Sequence, residues 1–448
     1  MEQPVMQQAL EGLDIHPMRE SLYAELHSRP FHVIASPARV AYFALLADEE
    51  VRNAQFEHLL ELFEHSDQDA PDCDGLFYEV ELNGLRIRRE RHLEFTTYTF
   101  IDEQPPKTDN PFDATALQRL PEGWMARLPG QVVSAFHVAI QDARETPEDE
   151  LPVVKNHFEG QRLIGSSPQN GDARIWTSFL LHSDGLGRFL IFNKAMSDSQ
   201  LGRLTQRVIE IETYRLMTLL SLPLARKYSP GLSAMDKRLA VLTERLTAEK
   251  GVDEAKILSE LTEMAAWVEA CRAQTTFRFG ASRAYQEIVS KRLAELREDE
   301  VSGHLTITEF MTRRLTPAVR TCESVSERLE NMSLRIDRVS DMMRTRVELS
   351  IQEQNQDLLS SMDRRSHIQL MMQHTVEGLS VAAISYYTIG LLKFLIDAVY
   401  EETGGAFDKS LVLGITVPCV VGCVWFATRR IHRRFLKLAT ERADAERH

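Results

Sequence analysis

The stretch Gly378-Leu-Ser-Val-Ala-Ala-Ile-Ser-Tyr-Tyr-Thr-Ile-Gly-Leu-Leu-Lys-Phe-Leu-Ile-Asp-Ala-Val-Tyr400 decides the architecture. A helix rises about 1.5 Å per residue, so roughly 20 apolar residues cross the hydrocarbon core of a bilayer. This run has 23 residues, and its only charges are Lys393 and Asp397. Ten residues later, Leu411-Val-Leu-Gly-Ile-Thr-Val-Pro-Cys-Val-Val-Gly-Cys-Val-Trp-Phe-Ala-Thr428 adds 18 residues with no charge. Length alone also admits a helical hairpin buried in a soluble core. Two adjacent runs with aromatic ends favour a membrane pair.

The flanks orient the pair. Arg429, Arg430, Arg433, Arg434 and Lys437 follow the second run, a basic cluster expected on the cytoplasmic side. The linker 401–410 is short and mostly acidic, with Glu401, Glu402 and Asp408, and is expected outside. Both termini are then cytoplasmic. Lys393 and Asp397 are four apart and can meet on one helical face. There they either snorkel to the headgroups or shape a pore mouth.

Upstream, Thr316-Pro317 reads as a helix start, a hydroxyl cap followed by proline at the first helical position. No proline or glycine follows until Gly378. Apolar or small residues recur at Leu315, Ala318, Cys322, Val325, Leu329, Met332, Ile336, Val339 and Met343. That alternation of three and four marks a coiled-coil or bundle seam. Beyond it the seam shifts to Val347, Ile351, Leu358 and Met362. A helix from Pro317 to Tyr400 would be roughly 125 Å long. Its seam is expected to take a partner, most simply another copy of the chain.

The front of the chain is different. Candidate strands are Arg39–Leu45, Leu76–Leu82, Leu93–Ile101, Gln131–Ile140, Arg174–Leu181 and Arg188–Phe192, rich in Val, Phe, Tyr and Thr. Val51–His65 reads as an amphipathic helix. From Asp198 onward the pattern is helical: Ser199–Leu222 ended by Pro223, Leu232–Glu249 and Asp253–Gln274 as an antiparallel pair, then Ala281–Glu298 and a break at Gly303.

Composition narrows the function classes. Residues 1–200 carry 33 acidic against 17 basic side chains, and residues 201–448 carry 33 against 35. An acidic front is poorly suited to phosphate backbones, so nucleic acid is not an expected partner. Five cysteines, Cys73, Cys271, Cys322, Cys419 and Cys423, form no even framework and no C-x-x-C pair, which suits a reducing compartment. The first residues hold neither a basic cluster nor an apolar run, so no secretory signal is expected. No Walker loop, H-E-x-x-H or G-x-S-x-G occurs, and Asp184-Gly-Leu-Gly-Arg188 lacks dinucleotide spacing. His16, His27, His32 and His137 are scattered without ligand spacing. No enzyme and no cofactor is therefore expected, and a metal site is not legible.

Several stretches are familiar: Leu26-His-Ser-Arg-Pro30, His92-Leu-Glu-Phe-Thr-Thr-Tyr-Thr-Phe100, Gln206-Arg-Val-Ile-Glu-Ile-Glu-Thr-Tyr-Arg215, Phe277-Arg-Phe-Gly-Ala-Ser-Arg-Ala-Tyr285, Gln354-Asn-Gln-Asp-Leu-Leu-Ser-Ser-Met-Asp-Arg-Arg365, Thr375-Val-Glu-Gly-Leu-Ser380 and Tyr386-Tyr387. Over nearly its whole length the chain resembles a bacterial family of uncharacterised membrane-anchored proteins. That resemblance implies the inner (cytoplasmic) membrane as its location.

The order of parts also resembles the CorA class of divalent-cation channels, in which five subunits assemble and the first spans line a pore. The resemblance implies a homo-oligomer and a divalent cation as the transported ion. It makes Ser385 and Thr388, with Lys393 and Asp397, the candidate pore lining, and Glu401, Glu402 and Asp408 the cation-attracting mouth. The Gly-Met-Asn tripeptide that marks the class is absent. An anchored scaffold or regulator without transport fits the same topology.

The chain thus reads as α+β. A cytoplasmic α/β domain covers 1–195 and a helical domain 196–314. A coiled-coil-like stalk helix follows over 315–375, then a first transmembrane helix over 376–400, an outer loop over 401–410, a second transmembrane helix over 411–428 and a basic tail over 429–448.

Overall fold

The computed structural model describes residues 14–19, 22–23, 33–64, 68, 70–71, 75–143, 151–248, 254–402 and 408–445, and the side chains of these other than 247, 248, 400, 402 and 432–445. The chain forms two compact units, residues 1–340 and 341–448.

In the first unit the order is β1 (Ala38–Leu46), α1 (Glu49–Leu60), β2 (Phe77–Leu82), β3 (Leu85–Arg91), β4 (Phe95–Asp102), β5 (Gln131–Asp142), α2 (Leu151–His157), β6 (Ile164–Pro168), β7 (Ala173–Thr177) and β8 (Gly187–Asn193). Then come α3 (Asp198–Leu219), α4 (Ser221–Ala248), α5 (Glu254–Leu296), β9 (Glu298–Glu300) and the start of α6 (Ile307–Glu402). Among the described residues the strands make one nine-stranded sheet, ordered β2-β3-β4-β1-β5-β8-β7-β6-β9. Neighbours run antiparallel except β5 and β8, whose pairing is parallel.

Alternation along each strand covers both faces of this sheet. All eight residues of β4 are buried. Phe95 and Ile101 join Tyr42, Phe136, Val138 and Phe189 beneath Leu201, Leu204 and Val208 of α3. Tyr98 and Phe100 point the other way, to Leu59, Phe63 and Trp124. There His58 stacks on Trp124 at 4.5 Å, and Trp124 Nε1 donates to the His58 carbonyl at 3.2 Å.

β3 was not among the expected strands. Five of its seven residues are charged, which hides the alternation of Leu85, Ile87 and Arg89. The hairpin signal lies just before it: Asn83 and Gly84 both take positive φ, 52° and 73°, as a two-residue primed turn requires. β6 and β9 were also missed, being too short to show a period. The expected strand at 174–181 stops at Thr177.

Helix boundaries moved for identifiable reasons. Pro223 sits in the first turn of α4, where a missing N–H costs nothing, so it does not end the preceding helix; α3 already stops at Leu219. The expected breaks between 222 and 232 and between 274 and 281 are absent, because α4 and α5 run through them. Packing of Val268, Cys271, Phe279 and Val289 outweighs the roughly 1 kcal/mol that Gly280 costs a helix.

α6 starts at Ile307, and Pro317 lies inside it; the expected start at Thr316 is corrected accordingly. The Glu298 carboxylate accepts from the N–H of Ile307 at 3.1 Å and of Thr308 at 2.6 Å, and from the Ser166 hydroxyl. The Thr306 hydroxyl accepts from the Glu309 N–H at 3.1 Å. These groups satisfy the amides that an N-terminus leaves open. Burial of Ile307, Met311 and Leu315 then carries the helix past its proline. Glu298→Ala is expected to lower the stability of this unit by about 2 kcal/mol, read from the urea midpoint of the detergent-solubilised protein. A loss under about 0.5 kcal/mol, the ordinary scatter of surface substitutions, would show that the carboxylate holds nothing.

The seam from Leu315 through Val339 is buried within this one chain. Polar bridges tie it to its neighbours: Arg328 and Arg335 of α6 to Asp236 of α4 at 3.0 and 2.8 Å, and Arg272 of α5 to Ser333 of α6 at 3.4 Å.

In the second unit α6 continues to Glu402, and α7 (Lys409–Ala445) follows. Each of these two helices has a window long and apolar enough to cross a membrane. Asp408 caps α7, accepting from the Ser410 N–H at 3.0 Å.

Candidate functional site: a charged cleft on the sheet

One face of the sheet carries a cavity of about 410 Å³ under α3 and α5. Its floor comes from Tyr42 on β1, Arg88 and Glu90 on β3, and Thr97 and Thr99 on β4. Strand alternation delivers these side chains together, since Arg88 pairs with Thr99 and Glu90 with Thr97 in the ladder. α3 contributes Gln206, Ile209, Glu210, Thr213 and Tyr214, one stripe at helical spacing, and α5 contributes Ile288, Lys291 and Arg292.

The charges are arranged in pairs. Arg88 is 2% exposed; its Nε meets the Glu90 carboxylate, its Nη1 lies 3.9 Å from Glu79, and its guanidinium sits 4.5 Å over the Phe77 ring. Arg292 pairs with Glu210 and with Glu295 at 2.9 Å. Burial draws the Arg292 guanidinium down, but the carboxylates of Glu210 and Glu295 more than offset it and hold it above its ordinary value. Gln206 Nε2 donates to Glu210 at 3.0 Å. Burial holds the Tyr42 hydroxyl protonated well above the usual range, against hydrogen bonds from Thr213 and Thr97. His92 stacks on Phe95 at 4.3 Å, giving the cleft a flat aromatic wall. The arrangement can orient a small polar molecule by charge and stack its body. It presents no nucleophile paired with a base.

A second cluster has a hydrolytic order of groups without the access. Ser178 Oγ lies 3.2 Å from His182 Nε2, and His182 Nδ1 lies 3.6 Å from Glu159. Ser178 and His182 are 4% and 6% exposed. Burial and the nearby Arg188 hold His182 below its ordinary value despite Glu159. Glu159 is engaged by the Ser183 hydroxyl at 2.6 Å, and Arg188 ties Asp184, at 3.0 Å, to the His157 carbonyl, at 2.8 Å. The cluster staples the β7–β8 connection to the end of α2. Among the described residues no three His, Cys, Asp or Glu side chains gather as a metal cage. Cys271, Cys322, Cys419 and Cys423 are free thiols, and Cys73 lies outside the described residues.

The residues singled out in the spans fall as follows. Ser385 is 3% exposed. It lies one turn beyond Val381 on the face that, with His374 and Glu377, looks across a cavity of about 520 Å³ to Trp425, Thr428 and Arg429 of α7. Thr388 donates its hydroxyl to the Ile384 carbonyl at 2.7 Å. Asp397 pairs with Lys409 at 2.8 Å; the partner comes from the next helix, while Lys393, four residues away, is exposed. Glu401 is exposed and Asp408 is the cap of α7. Arg429 lies 4.9 Å over the Trp425 ring, and Arg430 is exposed. The side chains of Glu402, Arg433, Arg434 and Lys437 lie outside those described.

None of the cleft residues was a candidate from sequence. The Asn83-Gly84 hairpin would have put Arg88 and Glu90 on one face of a strand. Nothing local tells that α3 and α5 close over it.

Fold and cleft together define a mixed α+β protein with an N-terminal sheet, a large helical region and two terminal helices apolar enough to cross a membrane. Residues 14–435 match the family described as a protein of unknown function, DUF3422, and the chain belongs to that family. No curated protein and no solved structure matches it.

Proposed function

We propose that this protein is a membrane-anchored regulator: the two apolar helices hold it at a bilayer with both termini cytoplasmic, and the sheet carries its receptor site in the charged cleft. It catalyses no reaction and moves no ion. The observation that carries this reading is how the spans use their polar groups. Asp397 is neutralised by Lys409 at 2.8 Å, the Thr388 hydroxyl is spent on Ile384, and Ser385 is buried within its own chain. A pore lining needs such groups free to face an ion. The basic flank supports a cytoplasmic position for Arg429 and Arg430, and the family resemblance supports the inner bacterial membrane. Self-association belongs, on this reading, to the later part of α6, where Ile351, Leu358 and Met362 are 51%, 61% and 57% exposed at coiled-coil spacing.

The CorA-like channel is the second reading, and the unbroken run of α6 from Ile307 to Glu402 favours it. There Ser385, Thr388, Lys393 and Asp397 would line a pore between copies, with Glu401, Glu402 and Asp408 at its mouth. Flux of Mg²⁺ and Co²⁺ into proteoliposomes decides between them. No flux above empty vesicles is expected. A flux that Thr388→Val abolishes would replace the regulator with the channel.

A further inference from the structure

We infer that the cleft on the sheet takes a small organic anion, with a phosphate or carboxylate head and a planar body. This rests on reading the cleft as a receptor site. Both carboxylates that line it are already engaged, Glu90 by Arg88 and Glu210 by Arg292. Lys291 stands on the α5 wall, exposed, and makes no ion pair or hydrogen bond among the described residues. The local sign is thereby opposite to that of the chain's front: three cationic side chains against two carboxylates in the lining, in a chain whose first 200 residues hold 33 acidic against 17 basic. A positive hollow in an acidic surface concentrates anions.

The second observation is independent of charge. Thr99 lines the floor, and a hydroxyl there can donate to an oxygen or accept from a donor without adding charge. It stands opposite Arg88 in the ladder, so a head group on the floor meets a donor there and the ammonium of Lys291 on the wall. The body of the ligand is set by the His92–Phe95 stack and by Tyr214, whose ring meets Phe95 edge-on at 6.2 Å. The volume of about 410 Å³ falls within the range of small-molecule sites and far exceeds the roughly 30 Å³ share of one water.

The test is calorimetric titration of the full-length protein in detergent with AMP, inorganic phosphate, benzoate, adenosine and spermidine. AMP or benzoate is expected to bind at least tenfold more tightly than adenosine. AMP with phosphate would identify a phosphate head; benzoate would identify a carboxylate. Lys291→Gln is expected to weaken that binding at least tenfold, and Thr99→Val several-fold, while Lys155→Gln on α2 leaves it unchanged. Equal affinity for AMP and adenosine, or an unchanged Lys291→Gln, overturns the anion. Binding of adenosine or spermidine that Thr99→Val weakens would overturn the anion yet keep the cleft as a receptor. Silence from all five probes overturns both.

Discussion

Replacing Arg88 by alanine is expected to lower the stability of the sheet unit by about 3–5 kcal/mol, the range for stripping one partner from a buried ion pair. The guanidinium is 2% exposed and lies between the carboxylates of Glu90 and Glu79 and the ring of Phe77. Without it the Glu90 carboxylate, whose side chain is 19% exposed, faces the cleft floor uncompensated and the space over Phe77 empties. Two physical causes are mixed in that loss, and variants separate them. Arg88→Met keeps most of the volume and removes only the charge. Adding Glu90→Gln to Arg88→Met removes the orphaned carboxylate and should restore more than half of the loss. Urea midpoints read from tryptophan fluorescence measure all three, since Trp124 and Trp176 are buried in this unit. A loss below about 1 kcal/mol for Arg88→Ala, the size of an exposed pair, would show the guanidinium to be solvated after all.

Acidification is expected to weaken the same unit. His137 on β5 is 5% exposed. Burial, aided by Arg188 and opposed by Asp184, pushes its imidazole from 6.5 down to about 4. Between those values the unfolded chain binds a proton that the folded chain refuses. Stability from this histidine is therefore complete above about pH 6.5 and lost progressively as pH falls toward 4. The shift corresponds to about 3 kcal/mol. His157 and His182 are also held below their ordinary value, burial being the main cause, and act in the same direction. Comparing midpoints at pH 7.5 and 4.5 for the wild type and His137→Leu isolates the one residue. The variant should lose about 2.5 kcal/mol less than the wild type between these two pH values. Equal losses in the two proteins would remove His137 from the account.

Legibility followed the range of the interaction. Six strands were placed to within a few residues because β-branched and aromatic runs with period two are local signals. β3 escaped because Arg86, Arg88, Arg89 and Arg91 outweigh its apolar alternation, although Asn83-Gly84 marked its turn. The start of α6 was misplaced by about ten residues because Thr316-Pro317 also fits a start signal, while only one of the true caps, Thr306, is a neighbour. Glu298 reaches the helix from a separate strand, at 3.1 and 2.6 Å, and a local capping signature spans only three residues. The Lys393–Asp397 pairing was read from i, i+4 spacing, yet the carboxylate took the ammonium of Lys409 on the next helix.

The residues by themselves determined two helices apolar enough for a membrane, an acidic α+β front, a helical middle and membership of a family whose stretches run through the whole chain. Period, length and charge count are properties of contiguous residues, so they survive without a fold. Only the tertiary structure decided what each face meets. The seam from Leu315 to Val339 would suit another copy of the chain as well as it suits α4 and α5, because hydrophobic burial rewards area removed from water and is indifferent to its source. The cleft was undecidable for the same reason. Arg88, Thr99, Glu210 and Lys291 come from segments up to some 200 residues apart, and each is an ordinary surface residue until the sheet order and the two covering helices bring them into one hollow.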